Sequence, residues 1–439
     1  MNEPSQADVV PLPDKRAAGK RFAWSVWAVV AAFGTYFCMY AYRKPFTAGT
    51  YADEPLWGVD FKIVLLTAQV LGYMVSKFVG IKIIAEMKPE RRAVGILILI
   101  GIAEFALLLF GLVPAPWNCL CLVLNGLPLG MVFGLVIGYL EGRQHTEALT
   151  AGLCTSFIIA DGAMKSVGAK LMTSSISEYW MPFTAGLIFL PPLLVFVCML
   201  TRLPPPSAHE RAVRSERVPM SRQDRWEFFV RYGVGLTCLV LVYLLVTILR
   251  SIRSDFAPEI WKALDVTVEP DAYTQTEIVV AALVALLNGF VVLVRDNRRA
   301  FFLALAMSLG GLGLIAVALS SFHHGVVSAF SLVVLIGVGL YIPYVAVHTT
   351  IFERLIAMTR DRGNLGYLMY LADAFGYLGY VAVMFAKNFW GGPGDFRDFF
   401  FTMCWFIAAA SCVLMILCWL YFAAHPATTR SAEPAATTV

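Results

Sequence analysis

The heptapeptide YAYRKPF, residues 40–46, closes the first long apolar run of the chain, residues 22–42. At about 1.5 Å per residue, the distance from Phe22 to Arg43 matches the bilayer hydrocarbon thickness of roughly 30 Å. Depth alone therefore favours an Arg43 that extends past the helix end into the lipid headgroups. The alternative is an arginine that faces a water-filled cavity, because a cation within the bilayer costs upward of about 2.5 kcal/mol. A second arginine, described below, favours the cavity.

Composition indicates a multi-pass membrane protein. Of the 439 residues, 59% are hydrophobic and only 15% are charged, whereas a soluble domain is nearer half apolar and a quarter charged. A net charge of +4 is too small to indicate a nucleic-acid partner. The nine cysteines show no C-x-x-C spacing, and no catalytic triad or Gly-rich nucleotide loop is found in the sequence. We therefore expect no metal, no cofactor and no enzymatic activity.

Twelve apolar runs are each close to the roughly 20 residues needed to cross a membrane. They lie near 22–42, 61–84, 94–113, 117–140, 148–170, 181–201, 228–251, 275–294, 300–320, 324–348, 365–387 and 398–423. The predicted fold is an all-α membrane protein with twelve transmembrane helices in two pseudo-symmetric six-helix bundles. The predicted divisions are an N-terminal tail (1–21), a first bundle (22–202), a linker (203–227), a second bundle (228–423) and a disordered tail (424–439).

The distribution of positive charge predicts the orientation of the chain. Fifteen Lys and Arg residues lie in the loops on the side of the termini, and four lie in the opposite loops. Because positively charged loops remain in the cytoplasm, both termini and the linker are predicted to be cytoplasmic. The predicted location is the cell (inner or plasma) membrane, and we expect a monomer.

The pattern of polar residues indicates that the two halves of the sequence are repeats. Polar positions recur at offsets of 207 or 212 residues, in the pairs Arg43 and Arg250, Glu141 and Glu353, and Asp161 and Asp373. Two halves related by an axis along the membrane normal enclose a site near the midplane. Equivalent arginines on the first and seventh spans are more simply explained by one shared cavity than by two independent contacts with headgroups.

Four short motifs resemble the organophosphate:phosphate antiporter family of the major facilitator superfamily. They are YAYRKPF at 40–46, SKFVG at 76–80, RSIRSDFAP at 250–258 and FGYLG at 375–379. The resemblance implies the twelve-helix fold and a phosphate group gripped by Arg43 and Arg250, with Lys77 nearby. It also implies a phosphorylated organic anion as the substrate and inorganic phosphate as the coupling ion.

The chain departs from the family pattern at several places. The stretch GIKIIAEMKPERR, residues 80–92, lacks the Asp of the family's gating loop, and the segment 251–275, expected to be a loop, is acidic. The fifth helix carries Asp161 and Lys165, where the family has a neutral residue or a His. These departures leave the substrate open and indicate a divergent branch.

The predicted site residues allow more than one role. Arginine presents a planar fork that binds phosphate or carboxylate with two hydrogen bonds. Lys77 either adds a charge to this site or extends to the membrane interface. Asp161 either pairs with Lys165 at i, i+4 spacing or couples protons, and Asp373 either couples protons or is the counter-ion of Arg250 or Lys165. Tyrosines on the first, tenth and eleventh spans, Tyr40 and Tyr377 among them, either pack or line the cavity.

The predicted function is secondary active transport of a small organic anion, expected to be a phosphorylated metabolite, by alternating access between the bundles. One alternative is a proton-coupled carrier of another small solute that uses Asp373. The other is a transporter-like membrane sensor that binds its ligand without flux. The sequence names neither the substrate nor the direction of transport.

Overall fold

The computed structural model describes residues 15–51, 59–140, 146–204, 222–359, 365–390 and 396–425. Within these ranges, twelve long α-helices follow one another, six on each side of the linker. They are α1 (Lys15–Met39), α2 (Phe61–Glu86), α3 (Arg92–Leu112), α4 (Cys119–Leu140), α5 (Thr146–Thr173), α6 (Met181–Thr201), α7 (Arg222–Asp255), α8 (Asp271–Val292), α9 (Asn297–His323), α10 (Ala329–Ala346), α11 (Leu365–Trp390) and α12 (Phe396–Ala424). A short helix, Ala257–Ala263, lies between α7 and α8. The predicted fold class is confirmed.

Most helix bounds lie within a few residues of the predicted spans, but α7 is longer. It extends to Asp255, so residues 251–255, predicted to begin a loop, are helical. α10 continues through a π-helical turn, Val347–Ile351, and a last segment, Phe352–Thr359. Residues 205–221, most of the predicted linker, lie outside the described residues, as does Glu141.

The two halves repeat the same pattern of helix packing. In the first half, α1 packs against α5 and α6, α4 packs against α2 and α3, and α3 packs against α6. The second half shows the equivalent contacts: α7 with α11 and α12, α10 with α8 and α9, and α9 with α12. The sequence repeat is therefore a repeat of structure.

Close helix contacts in the first half depend on small residues. On α4, a Cβ at Gly126 would lie 2.2 Å from the backbone oxygen of Gln69 on α2. No side chain fits in that space, and small residues at such positions let membrane helices approach closely. Gly126 therefore allows α4 to pack closely against α2.

The interface between the halves consists mainly of α5 against α8 and α2 against α11. Among the described residues, nine helical segments are long and apolar enough to cross a membrane. The interface helices α2, α5 and α11 carry Lys77, Asp161, Lys165 and Asp373. Charged residues in membrane helices usually face the protein interior or a water-filled cavity, so these residues mark where a polar site forms.

Candidate functional site

Arg43 lies inside the protein, where the first helix ends. α1 gives way to a 3-10 turn, Tyr40–Tyr42, and the Arg43 side chain then points inward and is only 6% exposed. Its guanidinium carbon lies 4.1 Å from the ring centre of Tyr73 on α2. A tyrosine face attracts a cation through the quadrupole of the ring. The alternative in which Arg43 extends into the headgroups is therefore wrong.

A buried amide network holds this helix end in place. Asn125 Nδ2 donates hydrogen bonds to the carbonyl oxygens of Tyr42 (3.0 Å) and Ala103 (3.1 Å). Gln69 Nε2 donates to the Arg43 carbonyl (3.1 Å) and to Asn125 Oδ1 (2.8 Å). Carbonyls at a helix end need partners, above all away from water. Asn125 and Gln69 supply them and fix the backbone from which the arginine projects.

Arg250 occupies the equivalent position on α7. It is 9% exposed, and its guanidinium carbon lies 4.6 Å from the ring centre of Tyr344 on α10. Tyr40 and Tyr377 interact electrostatically with both arginines, so these two tyrosines border the region that the arginines share. The structure therefore brings together Arg43, Arg250, Tyr40 and Tyr377.

Neither arginine has a carboxylate partner among the described residues, and the Nε atom of each is buried without a hydrogen bond. The other charges buried at the interface of the halves are balanced. In the described part of the chain, five buried cations each pair with a carboxylate: Lys165 with Asp161, Lys44 with Asp255, Arg253 with Glu277, Lys77 with Asp373 and Lys62 with Glu259. An uncompensated buried charge costs several kcal/mol. The two arginines therefore form a cationic site suited to an anion that the protein itself does not provide.

The first charged group, which we call the ionic cluster, consists of Lys44, Asp161, Lys165, Ser254 and Asp255. Lys44 Nζ lies 2.6 Å from Asp255 Oδ1 and 3.1 Å from Asp161 Oδ1, so it joins α7 of the second half to α5 of the first. Lys165 binds Asp161 directly, and Ser254 Oγ donates to Asp161 Oδ1 (2.8 Å). Asp161 and Lys165 form the ion pair that their spacing predicted.

Further contacts join the halves at the same end of the molecule. Lys62 Nζ lies 2.6 Å from Glu259 Oε1, and Lys170 Nζ lies 2.5 Å from Asp271 Oδ1. Ser166 accepts a hydrogen bond from the Thr274 hydroxyl (2.6 Å). Because α2 and α8 begin here and α5 and α7 end here, this is the end that the loop charges predict to face outward.

The second charged group lies on the other side of the arginines. Tyr73 and Tyr377, from different halves, are in edge contact, and their ring centres lie 5.4 Å apart. About one turn further toward the end of α2, Lys77 Nζ lies 3.3 Å from Asp373 Oδ2. The counter-ion of Asp373 is therefore Lys77, and its predicted pairing with Arg250 or Lys165 is wrong. Lys77 is buried at this contact, so its predicted alternative of extending to the membrane interface is also wrong.

Two residues beside Asp373 had no role in the sequence analysis. Tyr243 on α7 donates a hydrogen bond to Asp373 Oδ1, and His348 Nε2 lies 3.9 Å from the same oxygen. His348 lies in the π-helical turn of α10, and such turns are frequent at functional sites. A histidine and a tyrosine on apolar spans were the available signals. Lys44 and Asp255, also missed, both lie within the quoted motifs.

Comparisons with known proteins agree with the fold. The chain matches the family of unknown function DUF5690 over residues 45–425. A search of curated protein sequences found no match. Solved structures that resemble the chain include a D-xylose–proton symporter, with 13% identity, a TM-score of 0.59 and coverage of 91% of this chain and 97% of that one.

Two further solved structures show the same likeness. The nucleoside transporter NupG, as a single-residue mutant, matches with 13% identity, a TM-score of 0.59 and coverage of 91% of this chain and all of that one, 100%. A bacterial homologue of the iron transporter ferroportin matches with 15% identity, a TM-score of 0.56 and coverage of 91% and 99%. At such low identities the likeness shows the fold alone, which this chain shares with these transporters.

Proposed function

The chain belongs to the family of unknown function DUF5690, and we propose that it is a secondary active transporter of a small organic anion. The observation that carries the proposal is the pair of buried arginines, Arg43 and Arg250, which have no carboxylate partner among the described residues. One arginine comes from each half, so an anion between them would contact both. Solved transporters of the same fold support transport as the activity.

A phosphorylated metabolite is the substrate class that best fits this charge. Two guanidinium groups carry two positive charges, and a phosphate monoester dianion would balance both. Each arginine would offer its fork to the phosphate oxygens. Tyr40 and Tyr377 border the same region and could donate hydrogen bonds from their hydroxyls to the phosphate or to the rest of the substrate. We keep inorganic phosphate as a candidate coupling ion, which would make the protein an antiporter.

The two charged groups supply the gates that alternating access requires. The ionic cluster would close one end of the site, and the Lys77–Asp373 pair, with Tyr73 against Tyr377, would close the other. Opening one end breaks ionic contacts there, while the contacts at the other end hold the halves together. We propose that the ionic cluster faces outward, in the plasma membrane, with both termini in the cytoplasm, and that one chain suffices.

A proton-coupled carrier is the second candidate function. The observation that favours it is Asp373, a carboxylate at an inter-half contact that must break during transport. If it couples protons, Asp373→Asn should abolish accumulation driven by a pH gradient and leave the exchange of substrate for substrate intact. Uptake at the normal rate under a pH gradient would reduce Asp373 to a structural role.

The test of the proposed function has two steps. Thermal-shift measurements with phosphorylated metabolites, inorganic phosphate and carboxylates identify ligands, because a ligand that binds only the folded protein raises its apparent stability. Proteoliposomes loaded with the best ligand then measure exchange of the labelled compound. A transporter exchanges it across the membrane, whereas a sensor binds it without flux. A panel in which only uncharged solutes stabilise the protein would contradict an anion site.

A further inference from the structure

We propose that His348 is a proton-binding group. It replaces Lys77 as the counter-ion of Asp373 when the halves separate at the end that the Lys77–Asp373 pair closes. This inference rests on the proposed alternating-access function and adds to it the coupling ion and the side chain that binds it. Three features support it: the division of the neighbours of Asp373 between the two halves, the number of hydrogens that these neighbours can donate, and the separation of the halves that opening requires.

The neighbours of Asp373 are divided between the two halves. Lys77, on α2, belongs to the first half and lies 3.3 Å from Oδ2. Tyr243 and His348 belong to the second half, as Asp373 itself does, and both lie beside Oδ1. Separation of α2 from α11 therefore removes the lysine from the carboxylate and leaves the tyrosine and the histidine in place.

The hydrogen bonds of His348 leave room for one more proton. Its Nδ1 lies 3.0 Å from the carbonyl oxygen of Tyr344. A carbonyl only accepts, so Nδ1 carries the hydrogen of the neutral ring and Nε2 carries none. Nε2 lies 3.3 Å from the hydroxyl oxygen of Tyr243, whose only hydrogen is donated to Asp373. Nε2 and the tyrosine oxygen therefore face each other as two acceptors with no hydrogen between them.

A proton at Nε2 would complete this chain of hydrogen bonds. The imidazolium would donate from Nε2 to the Tyr243 oxygen, and Tyr243 would keep its donation to Asp373. Charge would be conserved at the carboxylate, because a lysine cation leaves and an imidazolium cation forms. The proton is taken up from the bulk solution, which reaches the ring when the site opens, so no other co-reactant is required.

Burial of the ring, and then the nearby cations, oppose this protonation while the gate is closed. The charged and titratable groups around the ring are Asp373 on α11, Lys77 on α2, Arg250 and Tyr243 on α7, and Tyr344 on α10 itself. α5 and α9 also pack against the turn, but neither provides one of the strongest electrostatic partners of the ring. With Lys77 in place, a charged His348 would add a cation to a site that already contains Lys77 and Arg250. Removal of Lys77 reverses that balance, so opening takes up a proton.

The test measures gate opening in the full-length protein without any substrate. Spin labels at Lys88→Cys and Arg295→Cys, introduced into a background without native cysteines, report the separation of the halves at the end where α2 and α8 finish. Both positions are exposed and lie outside the helices. Uptake of one proton on opening changes the ratio of open to closed protein by up to about tenfold per pH unit. We expect the fraction of protein that is open at this end to rise as the pH is lowered from 8 to 5.5.

His348→Gln removes the titrating group and should abolish most of this pH response. His324→Gln, in an exposed loop, is the matched control and should respond as the wild type does. Asp373→Asn removes the carboxylate that requires a counter-ion, and should be open to the same extent at both pH values. This second variant keeps the test decisive if the glutamine variant does not fold.

Three outcomes would overturn the proposal. The open fraction of the wild type could be independent of pH, or the pH response could be unchanged in His348→Gln or in Asp373→Asn. A different experiment tests the proposed anion site, so a failure of that proposal can be distinguished from a failure of this one. Inorganic phosphate titrated at a fixed pH either shifts the same distance distribution or does not, whatever the pH response of the substrate-free protein.

Discussion

Replacement of Lys44 by methionine should open the end of the molecule that the ionic cluster closes. The lysine ammonium lies 2.6 Å from Asp255, 2.8 Å from Ser254 and 3.1 Å from Asp161, and all four side chains are buried. Methionine replaces the apolar stem of the side chain almost atom for atom but lacks the charged ammonium group. Asp255 would then keep only the hydrogen bond from Tyr380 (3.0 Å), because Ser254 donates its one hydrogen to Asp161.

The expected magnitude follows from the burial of the pair. Removal of one partner of a buried ion pair costs about 3–5 kcal/mol, because the other charge is left uncompensated. The substitution raises the free energy of the closed form relative to the open form, because water reaches Asp255 when this end opens. At about 1.4 kcal/mol per factor of ten, the ratio of open to closed protein should rise at least roughly a hundredfold. Asp161 keeps Lys165, so the lower end of the range applies.

The assay is a distance measurement between spin labels at Trp117→Cys and Val326→Cys, again in a background without native cysteines. These positions are 67% and 75% exposed and lie in different halves, beside the starts of α4 and α10. The control is Lys170→Met, which removes another ion pair between the halves at the same end. Both partners of that pair are 57% exposed, and exposed pairs contribute at most about 1 kcal/mol.

The two variants should differ clearly. We expect a longer distance in most Lys44→Met molecules and an almost unchanged distribution in Lys170→Met. Equal behaviour of the two variants, or no opening in Lys44→Met, would refute the assignment of the ionic cluster as a gate.

Two further predictions concern packing and orientation. Gly126→Ala should lower the free energy of unfolding by about 1–3 kcal/mol, because the added methyl group meets the backbone of Gln69; Gly101→Ala, with nothing within 4 Å, should have little effect, and equal thermal stability of the two would contradict the prediction. For orientation, cysteines at Ser207 and Ser321 should be labelled from the cytoplasmic and the outer side, respectively. Modification of position 207 but not 321 by an impermeant reagent added outside would reverse the predicted topology.

The helices could be predicted from the sequence because bilayer thickness fixes the length of an apolar run. The end of α7 could not, because it depends on pairing. The sequence alone places the end of the apolar run at residue 251 and Asp255 in a loop, yet Lys44 from the other half neutralises Asp255 inside the protein. Helix ends at polar residues are set by tertiary partners that lie far away in the chain.

The site could be predicted only in part, for the same reason. The repeat predicted that Arg43 and Arg250 would be equivalent, and both are buried beside tyrosines. Asp161 and Lys165 lie one helical turn apart, so their pairing was visible in the spacing. Asp373 and Lys77 are 296 positions apart, and no periodicity links residues on different halves. The identity of the counter-ion of Asp373 therefore required the structure.

The central claim is that Arg43 and Arg250 bind one anion, and calorimetry of the ligand found by thermal shift tests it most directly. Arg43→Lys and Arg250→Lys keep the charge but lose the fork, so losing one charge-assisted bond of about 1.5–3 kcal/mol should weaken binding roughly tenfold to a hundredfold. Because both side chains would contact the same group, the two effects should not add in the double variant. Arg253→Lys, equally buried but paired with Glu277, should bind nearly as the wild type does. Affinities near wild type in both single variants would contradict the claim.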